Sequence, residues 1–180
     1  ILASEAVAKR YCTTQGISLD SVPRILGWGH STAPMRFTTK LDYSRSHEYV
    51  LPWTRRAISD AYRRAGISGV DQLDAIETHD CFTMSEYMAI EHFGITPPGR
   101  AWEAIEAERT TLDGDIPVNA SGGLMGTGHP VGATGVRMVL DAAKQVTGAA
   151  GHNQVEGARR VGTFNVGGSG TTNCAFVVGV

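Results

Sequence analysis

The chain ends in two apolar segments joined by a glycine-rich turn, and this feature limits the fold more than any other. Residues 160–166 and 173–178 have the β-branched and aromatic content of strands, and Gly167-Gly-Ser-Gly-Thr-Thr172 connects them. A connection this short permits only an antiparallel pair, because parallel neighbours require a crossover of about a dozen residues or more. The sequence therefore predicts a closing antiparallel hairpin.

Upstream of the hairpin, extended and helical patterns alternate. Strands are predicted at 24–29 and 73–78, and helices at 4–15, 54–65, 83–93, 102–108 and 130–146. Thr83 and Glu86 have the spacing of a capping box, and Pro130 is expected in the first turn of the last helix. Residues 30–53 have no clear period and are predicted to be a loop or lid. The alternation favours a layered α/β domain.

The charge balance bears on the partners. With 16 Lys and Arg against 18 Asp and Glu, the net charge is −2, which argues against nucleic acid or an anionic membrane as partner. No apolar run reaches the ~18 residues of a membrane span. The three cysteines Cys12, Cys81 and Cys174 are odd in number and widely spaced, so we expect a reducing compartment and a cytoplasmic location.

Three polar clusters carry the candidate chemistry. They are Glu77-Thr-His79-Asp-Cys81-Phe82, the glycine-rich run from Asn119 to Gly135 that contains His129, and Asn165-Val-Gly-Gly-Ser-Gly-Thr171. His79, Cys81 and His129 precede predicted helices, where the peptide dipoles favour a thiolate and a neutral imidazole. A neutral His129 could accept a proton or donate a hydrogen bond to an oxyanion, and Cys81 could act as acid or base.

The same clusters contain elements of three other kinds of site. A phosphate-binding loop requires Gly-Lys-Ser/Thr, and none of the three lysines follows a glycine. The glycine spacing from Gly126 to Gly132 is a poor match to a dinucleotide fingerprint. A zinc site from His79, Cys81 and His129 is conceivable, but it lacks paired ligand spacing and a fourth ligand, so no metal is predicted. Taken singly, each histidine or cysteine is more often structural, which is the expectation for Cys12 and Cys174.

Together, the clusters resemble the C-terminal half of a thiolase. Asn119-Ala-Ser-Gly-Gly-Leu-Met-Gly-Thr-Gly-His129-Pro-Val-Gly-Ala-Thr-Gly135 is similar to the long thiolase motif that contains Gly-His-Pro, and His79-Asp-Cys-Phe82 resembles the corresponding motif of the sterol-carrier-protein type. Even Ile1-Leu-Ala-Ser-Glu-Ala6 resembles the end of the preceding half. The resemblance implies a layered αβα half with a mixed sheet, in which residues 1–22 end the N-terminal half and residues 23–180 form the C-terminal domain.

The resemblance also implies roles for individual residues. His129 would activate a nucleophilic cysteine and help to form an oxyanion hole, which His79 would complete in place of the usual asparagine. Asn165-Val-Gly167 stands where thiolases have Cys-x-Gly, so Cys81 would take over the acid/base task. Gly167 would still offer its backbone N–H to a second oxyanion site.

One part of the thiolase machinery is missing from the sequence. The nucleophilic cysteine of thiolases lies in the N-terminal half, and neither Cys12 nor Cys174 has its context. We therefore expect an N-terminal half or a separate chain as partner, and a homo-oligomer. The expected substrates are coenzyme A and acyl-CoA, and no covalently bound cofactor is expected. The sequence does not indicate which residues contact coenzyme A. The alternatives are an acyl-CoA aldolase or lyase using tyrosines such as Tyr43 or Tyr87, or a non-catalytic thiolase-fold subunit.

Overall fold

The computed structural model describes residues 1–180. Its seven α-helices and four strands are α1 Glu5–Gln15, β1 Arg24–Thr32, α2 Phe37–Arg45, α3 Pro52–Ala65, β2 Ala75–Thr78, α4 Thr83–Phe93, α5 Ala101–Glu106, α6 Gly123–Thr127, α7 Thr134–Val146, β3 Arg160–Gly167 and β4 Thr172–Gly179. Helices α1, α3 and α4 end at the left-handed glycines Gly16, Gly66 and Gly94, which lack the Cβ that makes this conformation costly for other residues.

The four strands form one mixed sheet in the order β1-β4-β3-β2. The predicted hairpin is confirmed, because β3 and β4 pair antiparallel from Arg160 opposite Gly179 to Gly167 opposite Thr172. Strand β1 pairs antiparallel with β4, whereas β2 runs parallel to β3. Because β2 and β3 are parallel, their carboxyl ends lie at the same edge of the sheet.

Helices cover both faces of this sheet, which confirms the layered α/β prediction. Alternate strand residues Ile76, Phe164 and Val177 lie in the larger apolar core with one face of α3. Their neighbours along the strands pack on the opposite side against α7, in a second cluster of buried residues: Ala75, Ala142, Val146, Val161 and Val178. The period of two along each strand thus divides the apolar side chains between two helical layers.

Helix α3 lies directly on the backbone of β1. A Cβ atom placed on Gly29 would lie 1.7 Å from the carbonyl oxygen of Ala57, and one on Gly27 would lie 2.1 Å from that of Ala61. Only glycine permits this approach, so these two glycines set the distance between the helix and the edge strand.

The structure corrects three expectations. Residues 30–53 are not a continuous loop or lid, because they contain the end of β1 and the helix α2. None of the residues of α2 is buried. A helix without a buried face needs no apolar period in its sequence, and such a period is the signal that predicts a helix. The Thr83 side chain does not cap α4, whose first turn is closed by the Ser85 N–H donating to the Phe82 carbonyl at 2.8 Å. Helix α7 begins at Thr134, four residues after Pro130.

No helix in the structure is both long enough and apolar enough to cross a lipid bilayer.

Candidate active site

The predicted site residues converge on one cavity of about 500 Å³. His79 and Cys81 follow the end of β2, Gly167 ends β3, and His129 lies in the loop before α7. All four line this cavity. The parallel pairing of β2 with β3 explains the convergence, since it places both strand ends at one edge of the sheet.

His79 is held rigidly at the base of the cavity. Its side chain is buried, and its backbone N–H donates to the Phe164 carbonyl at 3.0 Å. Burial, followed by the nearby His129, lowers the pKa of His79. The Nδ1 atom is buried without a partner in the chain. A neutral imidazole therefore lies beside the cavity, with an unpartnered Nδ1 that is closed off from solvent.

His129 faces His79 edge to face, with ring centroids 4.9 Å apart. Its Nδ1 lies 2.7 Å from the hydroxyl oxygen of Thr134, which donates its own proton to the Pro130 carbonyl at 3.1 Å. Because a hydroxyl has only one proton to donate, the Thr134 oxygen accepts from His129 Nδ1–H. The other nitrogen, Nε2, then keeps its lone pair and can accept a proton.

Of the three cysteines, only Cys81 lines the cavity. It is exposed, and its Sγ lies 3.8 Å from the hydroxyl of Ser85 in the first turn of α4. Cys12 is buried, and burial raises the pKa of the half-buried Cys174. The exposed Cys81 thiol, which lies beside a hydroxyl, is the only one of the three placed to exchange protons with a ligand in the cavity.

The turn that follows Gly167 forms one wall of the cavity. Gly168, Ser169 and Gly170 have φ angles of 57°, 53° and 78°, and Ser169 is strained there because it carries a Cβ. The ammonium of Lys40 on α2 holds the turn by donating to the Ser169 carbonyl at 2.8 Å and to the Thr171 hydroxyl at 2.9 Å. Helix α2 therefore anchors the turn that carries Gly167.

Two carboxylates fasten the glycine-rich run to β2. The Glu77 carboxylate accepts from the Ser121 N–H at 3.0 Å and from the Ser121 hydroxyl at 2.6 Å. Asp80 accepts from the Leu124 N–H at 2.8 Å. Burial raises the pKa of Glu77, although both Ser121 bonds oppose the shift. These contacts fix the run that carries His129 relative to the strand that carries His79.

The chain offers no metal-binding cluster. No group of three or more His, Cys, Asp or Glu side chains is arranged to hold an ion, so His79, Cys81 and His129 do not form the zinc site considered from the sequence.

Asn165 also lines the cavity, and its amide nitrogen lies 3.4 Å from the sulfur of Met138. Neither Tyr43 nor Tyr87 reaches the cavity.

Comparison with known families identifies the family to which this fold belongs. Residues 36–180 match the family model described as "Thiolase C-terminal domain-like". The chain belongs to the thiolase family. The match covers most of the predicted 23–180 domain and includes all four site residues.

Two relatives illustrate the relationship. This thiolase domain is 43% identical to an acetyl-CoA acetyltransferase of Methanothermobacter thermautotrophicus over 124 residues, which cover 69% of the chain and 32% of that protein. It is 32% identical to human sterol carrier protein 2 over 167 residues, which cover 93% of the chain and 29% of that protein. The chain thus spans about a third of the length of these relatives.

A solved structure shares the architecture. The "Ltp2-ChsH2(DUF35) aldolase" superposes with a TM-score of 0.73 over 88% of this chain and 39% of that one, at 19% identity. This likeness shows the thiolase-like fold alone.

The sequence did not reveal the residues that support the predicted site. Ser85 contacts Cys81 and Lys40 contacts the turn after Gly167, and no motif of the site marks either residue. Thr134 lies inside the quoted glycine-rich motif, but the motif does not indicate its bond to His129. Asp80 lies inside the quoted motif, but its bond to Leu124 joins positions 44 residues apart. A contact between distant segments leaves no periodic signal in a single sequence.

Proposed function

We propose that this chain is the C-terminal catalytic half of a thiolase-type acyltransferase, an acetyl-CoA acetyltransferase or 3-ketoacyl-CoA thiolase. It would form or cleave a carbon–carbon bond in acyl-CoA thioesters. The proposal rests mainly on one observation: His79, Cys81, His129 and Gly167 line one cavity, and the centroids of the two imidazole rings are 4.9 Å apart. Its similarity to an acetyl-CoA acetyltransferase supports this assignment.

His129 is the proposed base. Its Nε2 has the free lone pair, because Nδ1–H donates to Thr134. In the cleavage direction, Nε2 takes the proton of the nucleophilic cysteine supplied by the N-terminal half. The thiolate attacks the 3-keto carbon, and the bond between the α and β carbons breaks. The acyl group stays on that sulfur, and the bonding electron pair passes to the thioester enolate.

Cys81 is the proposed acid for the enolate. Its exposed thiol protonates the α carbon and yields the shortened thioester, acetyl-CoA in the simplest case. Neutral His79, together with His129, donates to the thioester oxygen on which negative charge develops. The backbone N–H of Gly167 serves the second oxyanion, formed when coenzyme A attacks the acyl-enzyme. The Cys81 thiolate takes the proton of that incoming thiol. His129 returns its proton to the cysteine sulfur that leaves when the acyl group transfers to coenzyme A, which restores the starting state.

The proposal requires an N-terminal half, and the surface of α7 supports such a partner. Val136 and Leu140 on its outer side are 75% and 53% exposed, and Met125 on α6 is 87% exposed. Large apolar side chains on neighbouring elements favour a protein interface.

Residues 1–22, which contain α1, are proposed as the end of that N-terminal half. The homo-oligomer and the cytoplasmic location stay predictions.

An acyl-CoA aldolase or lyase is the second candidate. Asn165 stands where thiolases carry the Cys-x-Gly cysteine, and the solved structural neighbour is named an aldolase with a DUF35 component. The positions of Tyr43 and Tyr87 outside the cavity weaken a tyrosine-based mechanism. Thioester cleavage that requires free coenzyme A supports the thiolase, whereas retro-aldol products formed without it support the lyase.

The test is turnover by the complete protein, assembled with its N-terminal half. We expect His129→Ala to lower kcat by at least about a hundredfold, because general base and oxyanion functions are both lost. The matched control is His152→Ala, which removes an exposed histidine that does not line the cavity. Unchanged turnover in the His129 variant favours a non-catalytic subunit.

A further inference from the structure

His92 connects two elements that form the cavity. It lies on α4 with its side chain completely buried. Its Nδ1 bonds to the carbonyl of Met88, one turn earlier on α4, and its Nε2 bonds to the backbone N–H of Leu51 at 3.0 Å. One ring thus holds two backbone segments that are 37 residues apart in the sequence.

These two bonds determine the protonation of the ring. A carbonyl oxygen only accepts, so Nδ1 carries the proton, and an amide N–H only donates, so Nε2 carries the lone pair. Burial lowers the pKa of His92, which is consistent with a neutral ring. The Arg55 guanidinium on α3 donates to the His92 carbonyl at 2.7 Å and lies over the Tyr49 ring at 5.0 Å. Helix α3 therefore also contacts α4 at His92, through Arg55.

Both residues held by His92 line the candidate active-site cavity. Leu51 precedes α3 and Met88 lies on α4, and they share the cavity with the apolar ring of Phe164. His92 itself is not part of the lining. Apolar walls of this kind admit the alkyl portion of a ligand, and the fit of a single methylene changes kcat/KM by about tenfold or more.

We propose that His92 is a positioning residue that sets the size of the acyl group admitted to the cavity, by holding Leu51 and Met88 at a fixed separation. The inference rests on the proposed thiolase function. It assigns chain-length selection to a side chain that does not touch the substrate. The bond to Met88 lies within α4 and orients the ring, and the bond to Leu51 ties the segment before α3 to that helix. Loss of the Leu51 bond therefore frees one side of the cavity wall.

Three variants of the complete enzyme test the proposal. His92→Leu removes both bonds, whereas His92→Gln keeps one donor and one acceptor. Tyr62→Phe is the matched control, because it removes a buried bond between α3 and the neighbouring Phe93 carbonyl at 3.1 Å without touching a cavity residue. The measurement is kcat/KM for 3-ketoacyl-CoA substrates of four and eight carbons, together with hydrogen exchange of the Leu51 amide.

We expect His92→Leu to reduce the discrimination between the two substrates by at least about fivefold, because a displaced apolar wall alters the fit of each methylene. The same variant should speed hydrogen exchange of the Leu51 amide. His92→Gln and Tyr62→Phe should keep the ratio within about twofold. Met88→Ala supplies a second test if the leucine variant does not fold, since it should shift the ratio at least fivefold towards eight carbons.

The outcomes separate the two proposals. If the wild-type enzyme cleaves both substrates equally well, or if His92→Leu folds and keeps the wild-type ratio, the role of His92 is wrong and the thiolase function stands. If His92→Leu does not fold, an unchanged ratio in Met88→Ala overturns the role in the same way. If the wild-type enzyme cleaves neither substrate, the proposed function is wrong and the His92 proposal falls with it.

Discussion

His129 and Thr134 are joined by a hydrogen bond of 2.7 Å between the imidazole Nδ1 and the hydroxyl oxygen. Thr134 is fully buried at the first position of α7, and its hydroxyl also bonds to the Pro130 carbonyl. One side chain thus fixes both the tautomer of His129 and the loop that precedes the helix. A histidine held in this way presents a defined nitrogen to its substrate.

Replacement of Thr134 tests this relationship. We expect Thr134→Val, which keeps the shape and removes the hydroxyl, to lower kcat of the complete enzyme about tenfold to a hundredfold with little change in KM. The reason is that the unanchored imidazole samples the wrong tautomer and orientation. Initial rates over a range of substrate concentrations, which give kcat and KM separately, measure the effect.

Thr134→Ser is the matched control, because it keeps the hydroxyl and should retain most of the activity. Equal rates for the valine and serine variants would show that the bond to Thr134 has no part in catalysis.

Gly123 is predicted to be irreplaceable for a steric reason. Its φ is 61°, and a Cβ there would lie 2.1 Å from an Asp80 carboxylate oxygen. We expect Gly123→Ala to lower the free energy of unfolding by about 2 kcal/mol or more, since backbone strain adds to displacement of a buried carboxylate. Gly126→Ala, on the same short helix α6 with no atom within 4 Å of the added Cβ, should change it by less than about 0.5 kcal/mol. Urea unfolding of the intact protein compares the two variants.

The elements predicted best from the sequence are those with strong local patterns. The hairpin of β3 and β4 follows from its strand composition and glycine turn, and α3 follows from an apolar face that ends at Gly66. Helix α2 was missed because none of its residues is buried, so no apolar stripe marks it, while Lys40 bonds it to the turn after β3. Capping by Thr83 was wrong because the Phe82 carbonyl closes that turn.

The site was predictable only in part, for a similar reason. The sequence motifs indicated four candidate site residues, which are His79, Cys81, His129 and Gly167. The resemblance to thiolases supplied their proposed roles. The bonds of Glu77 to Ser121 and of His92 to Leu51 join segments more than 40 residues apart. Such pairings depend on the packing of the whole sheet, so a single sequence contains no local signal for them.

Lys40 is predicted to control the turn that carries Gly167. Lys40→Met keeps the aliphatic stem but removes the two bonds to Ser169 and Thr171. We expect hydrogen exchange of the 168–171 amides to accelerate at least about fivefold, as each lost bond is worth about 1 kcal/mol. If the proposed function is correct, kcat should fall by up to about tenfold, because Gly167 becomes less well positioned.

Lys9→Met is the control for this charge change, since Lys9 makes only an exposed ion pair with Glu5. Such pairs contribute little to stability, so exchange in the turn should match the wild-type protein. Identical exchange in the Lys40 variant would show that the turn holds its shape without the lysine.

The buried histidines predict a direction for the pH dependence of stability. Burial lowers the pKa of His92 and His79 below the usual value of 6.5. As the pH falls below about 6.5, the unfolded chain binds protons at these positions before the folded chain does. Stability from these groups is therefore present above pH 6.5 and is lost as the pH falls through the folded-state pKa. Glu77 and Glu86, whose pKa values are raised by burial, act in the opposite direction.

Comparison of the wild-type protein with His92→Gln isolates one of these contributions. Glutamine can make both hydrogen bonds but does not titrate, so the carboxylate effects cancel in the difference. We expect the two proteins to respond differently only below about pH 6.5, with wild-type stability falling more steeply by at most about 1.4 kcal/mol per pH unit, the limit for one proton. Urea unfolding at pH 5, 6, 7 and 8 measures this difference. Parallel curves from pH 8 to pH 5 would mean that His92 titrates alike in the folded and unfolded chains, and that its burial does not hold the ring neutral.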